Sequence, residues 1–177
     1  MPAYDAPQLS QMIMSCLKTR TNHTKGESLA DVVELVFSEV PGIELRERSH
    51  VLLNGSAEVD LVFKNNPYVT SLPTQGVTLF VECKNEARPI KAAQVRDFSA
   101  KMRGRNQRLG VMVSRKGLSG RASTHGHAAV TDELAQGRSI IVLTLDDLEG
   151  LKTTDDLISL CIDRLGELEH QGTYLSV

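Results

Sequence analysis

This chain has no tryptophan and only three tyrosines and four phenylalanines among its 177 residues. The core must therefore be built from Leu, Val, Ile and Ala, and few rings remain for stacking on unpaired bases. Cysteine is scarce as well: Cys16, Cys83 and Cys161 stand far apart and are odd in number. That excludes a disulfide framework or a clustered zinc site and fits a reducing compartment. No apolar run approaches the roughly 18 residues of a membrane span. The opening "MPAYDAPQLS" lacks the basic and apolar regions of a secretory leader. The expectation is a cytoplasmic protein with no membrane partner. "GLSG" is no phosphate-binding loop, because no G-x-x-x-x-G-K-[ST] is present.

A one-sided charge is also missing: the net charge is −2. The distribution says more than the sum. From Lys84 to Arg121 there are 11 Lys or Arg against Glu86 and Asp97, a local +9, and the rest carries −11. A solvated basic helix is the plain reading. The segment's position, directly behind a charged strand end, points instead to a surface facing a polyanion.

At this length one domain, residues 1–177, is expected to bury a real core. It divides into an N-terminal helix (1–24), a core (25–148) and a C-terminal helix (152–177). "PQLSQMIMSCLKTR" places Leu9, Met12, Ile13, Cys16 and Leu17 at helical spacing, and Leu29, Val32, Val33, Val36 and Phe37 repeat it. "IELRERSHVLL", with a turn at Asn54–Gly55, then "EVDLVF" and "VTLFVECKN" read as three strands. "KNNPYVTSLPTQG" reads as a loop. "RPIKAAQVRDFSAKMRGR" predicts a helix with Ile90, Ala93, Val95 and Phe98 inward. "LGVMVS" and "SIIVLTL" are buried strands. "LSGRASTHGHAAVTDELAQG" between them predicts a helix weakened at Gly126, and "TDDLISLCIDRLGELEH" one capped by Thr153 or Thr154. The order α-α-β-β-β-α-β-α-β-α predicts an α/β fold: a mixed sheet of about five strands with helices on both faces.

The chemistry sits at the end of the third strand. Period two puts Glu82 and Lys84 on one face and Cys83 on the other. An E-x-K alone is common; its setting gives it meaning. Asp60, in the preceding strand, can lie beside Glu82 if the two strands pair antiparallel. Two carboxylates brought together repel unless a cation intervenes. Carboxylates and water suit Mg²⁺ or Mn²⁺ rather than zinc. Lys84 is placed to orient or deprotonate a water attacking a phosphate and to stabilise the charge that develops. His125 and His127, at i and i+2 of a helix, point apart and read as surface residues, not a metal pair. Cys83 reads as a packing thiol. The arginines of "RGRNQR", Arg103 to Arg108, fit phosphate contacts and a solvated helix end equally well.

An acid in an apolar strand followed by E-x-K at the end of the next resembles the PD-(D/E)XK superfamily, the restriction-endonuclease-like nucleases. The match is Asp60, Glu82 and Lys84, with Val59 where the name has proline. "GVMVSRKGLSGRA" and "SIIVLTLDDL" are similar to the back half of Mrr-type restriction endonucleases. "KGESLADVVEL", "AEVDLVF" and "LFVECKN" look like the pattern of small resolvase-like nucleases. The resemblance covers Gly26 to Leu148. It implies a Mg²⁺- or Mn²⁺-dependent endonuclease acting on double-stranded or branched DNA, in restriction and defence or in repair and recombination. It also implies that Asp60, Glu82 and the main-chain carbonyl of Cys83 hold the metal while Lys84 acts on the water. A glutamate of the first conserved helix would complete the site, Glu27 by the "GE" pattern or Glu34 two turns on. Gln94 matches a glutamine of Mrr-type sites and reads equally as a plain helix residue. Small nucleases of this kind often pair, which implies a homodimer. The competing reading is a nucleic-acid-binding module on the same fold without catalysis.

Overall fold

The computed structural model describes residues 2–18, 22–51, 58–74, 76–120 and 125–174, with residues 22–26 in backbone only. The expected turn at Asn54–Gly55 lies outside the described residues. The chain runs α1 (Ala6–Lys18), α2 (Asn22–Ser38), β1 (Ile43–Val51), β2 (Glu58–Asn65), β3 (Thr78–Lys84), α3 (Ala92–Arg103), β4 (Leu109–Ser114), α4 (His125–Ala135), β5 (Ser139–Thr144), α5 (Leu145–Glu149) and α6 (Thr154–Gln171). The strands lie side by side in sequence order. The pairs β1–β2 and β2–β3 are antiparallel; β3–β4 and β4–β5 are parallel. The five-stranded mixed sheet expected from the strand pattern is what the chain forms. None of the described helices is long and apolar enough to cross a membrane.

Strand alternation sorts the core into two layers. Leu79, Val81 and Cys83 of β3 join Leu61, Phe63, Val111, Val113 and Ile141 against α1, α2 and α5. Phe80 joins Val62, Met112, Ile140 and Val142 against Val95, Phe98 and Met102 of α3 and Val130 of α4. The two crossovers, β3–α3–β4 and β4–α4–β5, drop their helices on the same face, as right-handed connections require. Helix α6 serves both layers, giving Leu157, Ile158 and Cys161 to one and Leu168 to the other.

The α3 stripe differs from expectation. Val95, Phe98, Ser99 and Met102 are its buried residues, and Ala93 is exposed. Ser99 tolerates burial because its hydroxyl donates to Glu133, whose carboxylate also accepts Arg138 Nε at 3.0 Å. Gly110 of β4 lets α3 settle closely: a Cβ there would stand 2.8 Å from the Phe98 ring and from Met102 Sδ. Phe98 and Met102, fully buried, each contribute roughly 1.5–3 kcal/mol to this seating.

Other boundaries also move. Residues 118–120, expected in the helix, are not helical, and Gly117 and Gly120 take positive φ of 66° and 83°; residues 121–124 lie outside the described residues, and α4 spans His125–Ala135. Gly126 is a packing requirement rather than a weakness, since a Cβ there would lie 2.6 Å from the Ile90 carbonyl oxygen. His127 is buried, its Nδ1 3.2 Å from Thr173 Oγ1, which corrects its assignment to the surface. "SIIVLTL" yields its last leucine to α5, capped by Thr144 and Asp147. Thr153 is the N-cap of α6. Residues 2–4 strap across that cap: Tyr4 N–H donates to Lys152 O, and Thr154 N–H to Pro2 O.

Candidate active site

Antiparallel pairing of β2 with β3 sets Leu61 against Val81 and Val62 against Phe80. One step further along the same register, Asp60 comes opposite Glu82. The Cys83 N–H donates to Asp60 Oδ2 at 2.6 Å. Glu82, only 3% exposed, faces the α3 layer. Its Oε1 accepts from Lys84 Nζ at 2.8 Å, and Lys101 Nζ reaches both oxygens at 2.7 and 2.8 Å. The apolar strand thus ends in charge because its last turn of alternation delivers a carboxylate and an ammonium to one half-buried spot, with a second acid beside them.

The strand end is held from three sides. Asn85 Nδ2 donates to Cys16 Sγ at 3.0 Å and to the Cys16 carbonyl at 3.3 Å, tying β3 to α1. Lys84 O accepts the Arg115 N–H at 3.3 Å, continuing the parallel ladder past β4. Lys101 arrives from α3, flanked by Phe98 and Met102, which fix that helix on the sheet. Lys101 is the residue that sequence reasoning missed. Its signal is faint: a lysine bordering the apolar stripe of the helix that folds back over the E-x-K strand.

Burial, then the negative charge of Glu82, raises the Asp60 carboxyl above its ordinary range; the Cys83 N–H and the ammoniums of Lys84 and Lys101 work against that rise. Burial disfavours the Lys84 ammonium, but the charge and hydrogen bond of Glu82, with Asp60 and Glu86 behind it, hold Lys84 above the usual lysine value. The Cys83 thiol is pushed well up by burial and then by Asp60 and Glu82. It packs in the apolar layer and is no nucleophile.

The remaining sequence candidates stand on α2, on α3 and in the segment after α3. Gln94 Oε1 accepts the Lys91 N–H and its Nε2 donates to Glu86 Oε1, both at 2.9 Å. It ties the start of α3 to the segment after Lys84, and these two bonds go to Lys91 and Glu86, not to Asp60 or Glu82. Glu34 is taken by Arg48, whose Nε lies 2.6 Å from Oε2 and whose Nη1 also holds Asp31 at 2.8 Å. Glu27 is exposed near the start of α2. The arginines of "RGRNQR" part company: Arg105 faces a groove over β1 and β2, while Arg103 lies by Asp132 and Glu133 of α4.

Among the described residues, no three or more His, Cys, Asp or Glu side chains gather as a metal cluster. The pair Asp60 and Glu82, with the main-chain oxygens next to them, is an all-oxygen set. It suits a hard divalent cation that keeps several of its waters, and does not suit zinc.

A mixed five-stranded sheet covered on both faces, with an acid on one strand and E-x-K ending its neighbour, defines the restriction-endonuclease-like class. This chain belongs to the restriction endonuclease family of the Mrr catalytic type, whose family model matches residues 22–149. Four chains of solved structures match as well. One is the DNA modification-dependent restriction endonuclease AspBHI, at a TM-score of 0.47 and 15% identity over 93% of this chain and 41% of that one. The present chain therefore spans less than half the length of that enzyme. No curated protein matches.

Proposed function

We propose that this protein is a divalent-metal-dependent endonuclease that hydrolyses phosphodiester bonds in DNA. The observation that carries the reading is the convergence of Asp60, Glu82 and Lys84 at the end of β3, in a chain of the restriction endonuclease family. Asp60, Glu82 and the Cys83 carbonyl would hold Mg²⁺ or Mn²⁺. Such an ion, when bound, polarises a phosphoryl oxygen and makes a bound water a better nucleophile. Lys84, as an ammonium, orients that water and stabilises charge developing on the phosphate. Glu27 is the better third carboxylate, since Glu34 is committed to Arg48. Gln94 steadies the approach through Glu86. One such site cuts one strand, so double-strand scission takes two copies.

The direct test is incubation with plasmid, branched and single-stranded DNA in Mg²⁺, Mn²⁺ or EDTA. Cleavage that needs the metal is expected. Cleavage unaffected by EDTA, or none on any DNA, overturns the reading.

Lys101 supplies a second check. Its bidentate hold on Glu82 occupies oxygens that the cation needs. Lys101→Met is expected to tighten Mn²⁺ binding, measured by calorimetry without DNA, on the order of tenfold, because a nearby positive charge is gone. Unchanged affinity would mean that Lys101 and the metal do not compete.

A further inference from the structure

The sheet face that carries Asp60 and Glu82 continues into a groove of about 790 Å³. Its floor is Val62 and Phe80, partners across β2 and β3. Asp60 and Glu82 lie two residues further along those same strands, about 7 Å away. Among the described residues, three cations line the groove: Arg46, Lys64 and Arg105. The β1–β2 register shifts between Leu45 and Glu47, so Arg46 is the extra residue of a bulge, a device that re-aims a side chain. Arg105 Nη2 stands 3.3 Å from His50 Nε2, and His50 Nδ1 2.6 Å from Glu47 Oε2, a relay that holds the guanidinium over the groove. Two acids oppose this charge: Glu47 in the lining and Glu44, 3.3 Å from Lys64 Nζ.

The rim carries a second, independent feature. Six of the seven aromatic residues are buried: Tyr4, Phe37, Phe63, Phe80, Phe98 and Tyr174. The seventh, Tyr68, is 97% exposed at the groove's edge. Hydrogen bonds and one apolar side chain tie the described part of its loop to the sheet and core. Asn65 Nδ2 donates to Thr74 Oγ1 at 2.5 Å and to Gly76 O at 2.6 Å, Tyr68 N–H donates to Asn66 Oδ1 at 3.1 Å, and Leu72 plugs into the core. An exposed ring beside cations along a groove has the chemistry of a stacking platform with phosphate contacts.

We propose that this groove is the subsite for the DNA strand leading away from the scissile phosphodiester, with phosphates on Arg46, Lys64 and Arg105 and an unpaired base stacked on Tyr68. The inference rests on the nuclease reading and narrows its substrate class to DNA with unstacked nucleotides beside the cut, such as a flap or branch. A second copy of the chain, or a partner protein, would cover Tyr68 by contact with its own surface instead.

The test is fluorescence anisotropy in EDTA over a range of salt, with a fully paired duplex and the same duplex bearing a single-stranded flap. The proteins are the parent, Tyr68→Ala, Tyr68→Phe, Arg105→Glu and, as a control away from the groove, Arg103→Glu. The parent is expected to prefer the flap by about tenfold, the scale of one stacked base. Tyr68→Ala should lose that preference and keep its duplex affinity, while Tyr68→Phe retains both. Arg105→Glu should weaken both DNAs and lower the salt slope by about 1, where Arg103→Glu does not. A parent without flap preference, or a Tyr68→Ala protein that keeps it, overturns the subsite. So does a Tyr68→Ala protein whose sole change is oligomeric state by sedimentation. A parent that neither binds nor cuts any DNA overturns the nuclease reading itself. A parent that cuts DNA while all four variants behave like it overturns the subsite alone.

Discussion

Lys84→Ala is expected to bind DNA as the parent does, to bind divalent cation at least as tightly, since it too removes a positive charge from Glu82, and to cleave at least about 100-fold more slowly, the usual scale for one electrostatic or acid–base group. Structure makes this a clean substitution. Lys84 shares Glu82 with Lys101, which contacts both carboxylate oxygens, so removing the Lys84 ammonium leaves no buried carboxylate without a partner. The Lys84 side chain is also a quarter exposed. Stability in the absence of metal should then change by no more than about 1 kcal/mol. Single-turnover cleavage, with Mn²⁺ affinity and thermal melting alongside, checks all three. If the pair were an ordinary surface ion pair, every effect would be small, cleavage included. A well-folded Lys84→Ala protein that cuts at the parent rate sinks the assignment of Lys84.

Asp60→Asn is expected to abolish the rise in melting temperature that Mg²⁺ or Mn²⁺ gives the parent, and to abolish cleavage with it. A ligand that binds only the folded state stabilises it, and an amide is a poor substitute for a carboxylate on a hard cation. Without metal the sign reverses. The Asp60 carboxyl is raised in the folded protein by burial and by Glu82. The contribution of such a group to stability is fully present below its unfolded pKa and is lost as pH rises through its folded value. Asn resembles the protonated form at every pH, and its Oδ1 can still accept the Cys83 N–H. The metal-free melting temperature at pH 7 should therefore hold or rise, and the difference from the parent should vanish in acid. A metal-induced gain equal to the parent's would put the cation elsewhere.

Period-two alternation put Glu82 and Lys84 on one face, and Asp60 beside Glu82 on the condition that the two strands pair antiparallel, which they do; the strands themselves were visible as short apolar runs separated by turns and helical segments. These features were legible because they are local: a strand's two faces are decided within a few residues. Lys101 was not, because its place depends on how α3 docks, and that depends on Gly110 leaving room for Phe98 and Met102. His127 was misjudged for the same reason. Its burial comes from the segment after α6 closing over α4, a contact between residues far apart in sequence. Ala93 and Ser99 exchanged roles because the Glu133–Arg138 pair satisfies a buried hydroxyl. Helix α5 was legible in principle: Thr144 followed three residues later by Asp147 is a capping signal, hidden by the apolar run before it.

The strap that residues 2–4 make across the start of α6 has a bearing on modularity. Leu9, Ile13 and Cys16 of α1 and Leu157, Ile158 and Cys161 of α6 lie in the same apolar layer as α2, and the Tyr4 hydroxyl reaches through to the Val36 carbonyl at 2.9 Å. The family model begins at residue 22, after α1, and ends at residue 149, before α6. A polypeptide trimmed to that span would bare one side of its own interior and lose the Asn85–Cys16 tie that steadies the strand bearing Glu82. The region defined by kinship thus leaves out two helices, α1 and α6, that pack on its own apolar layer.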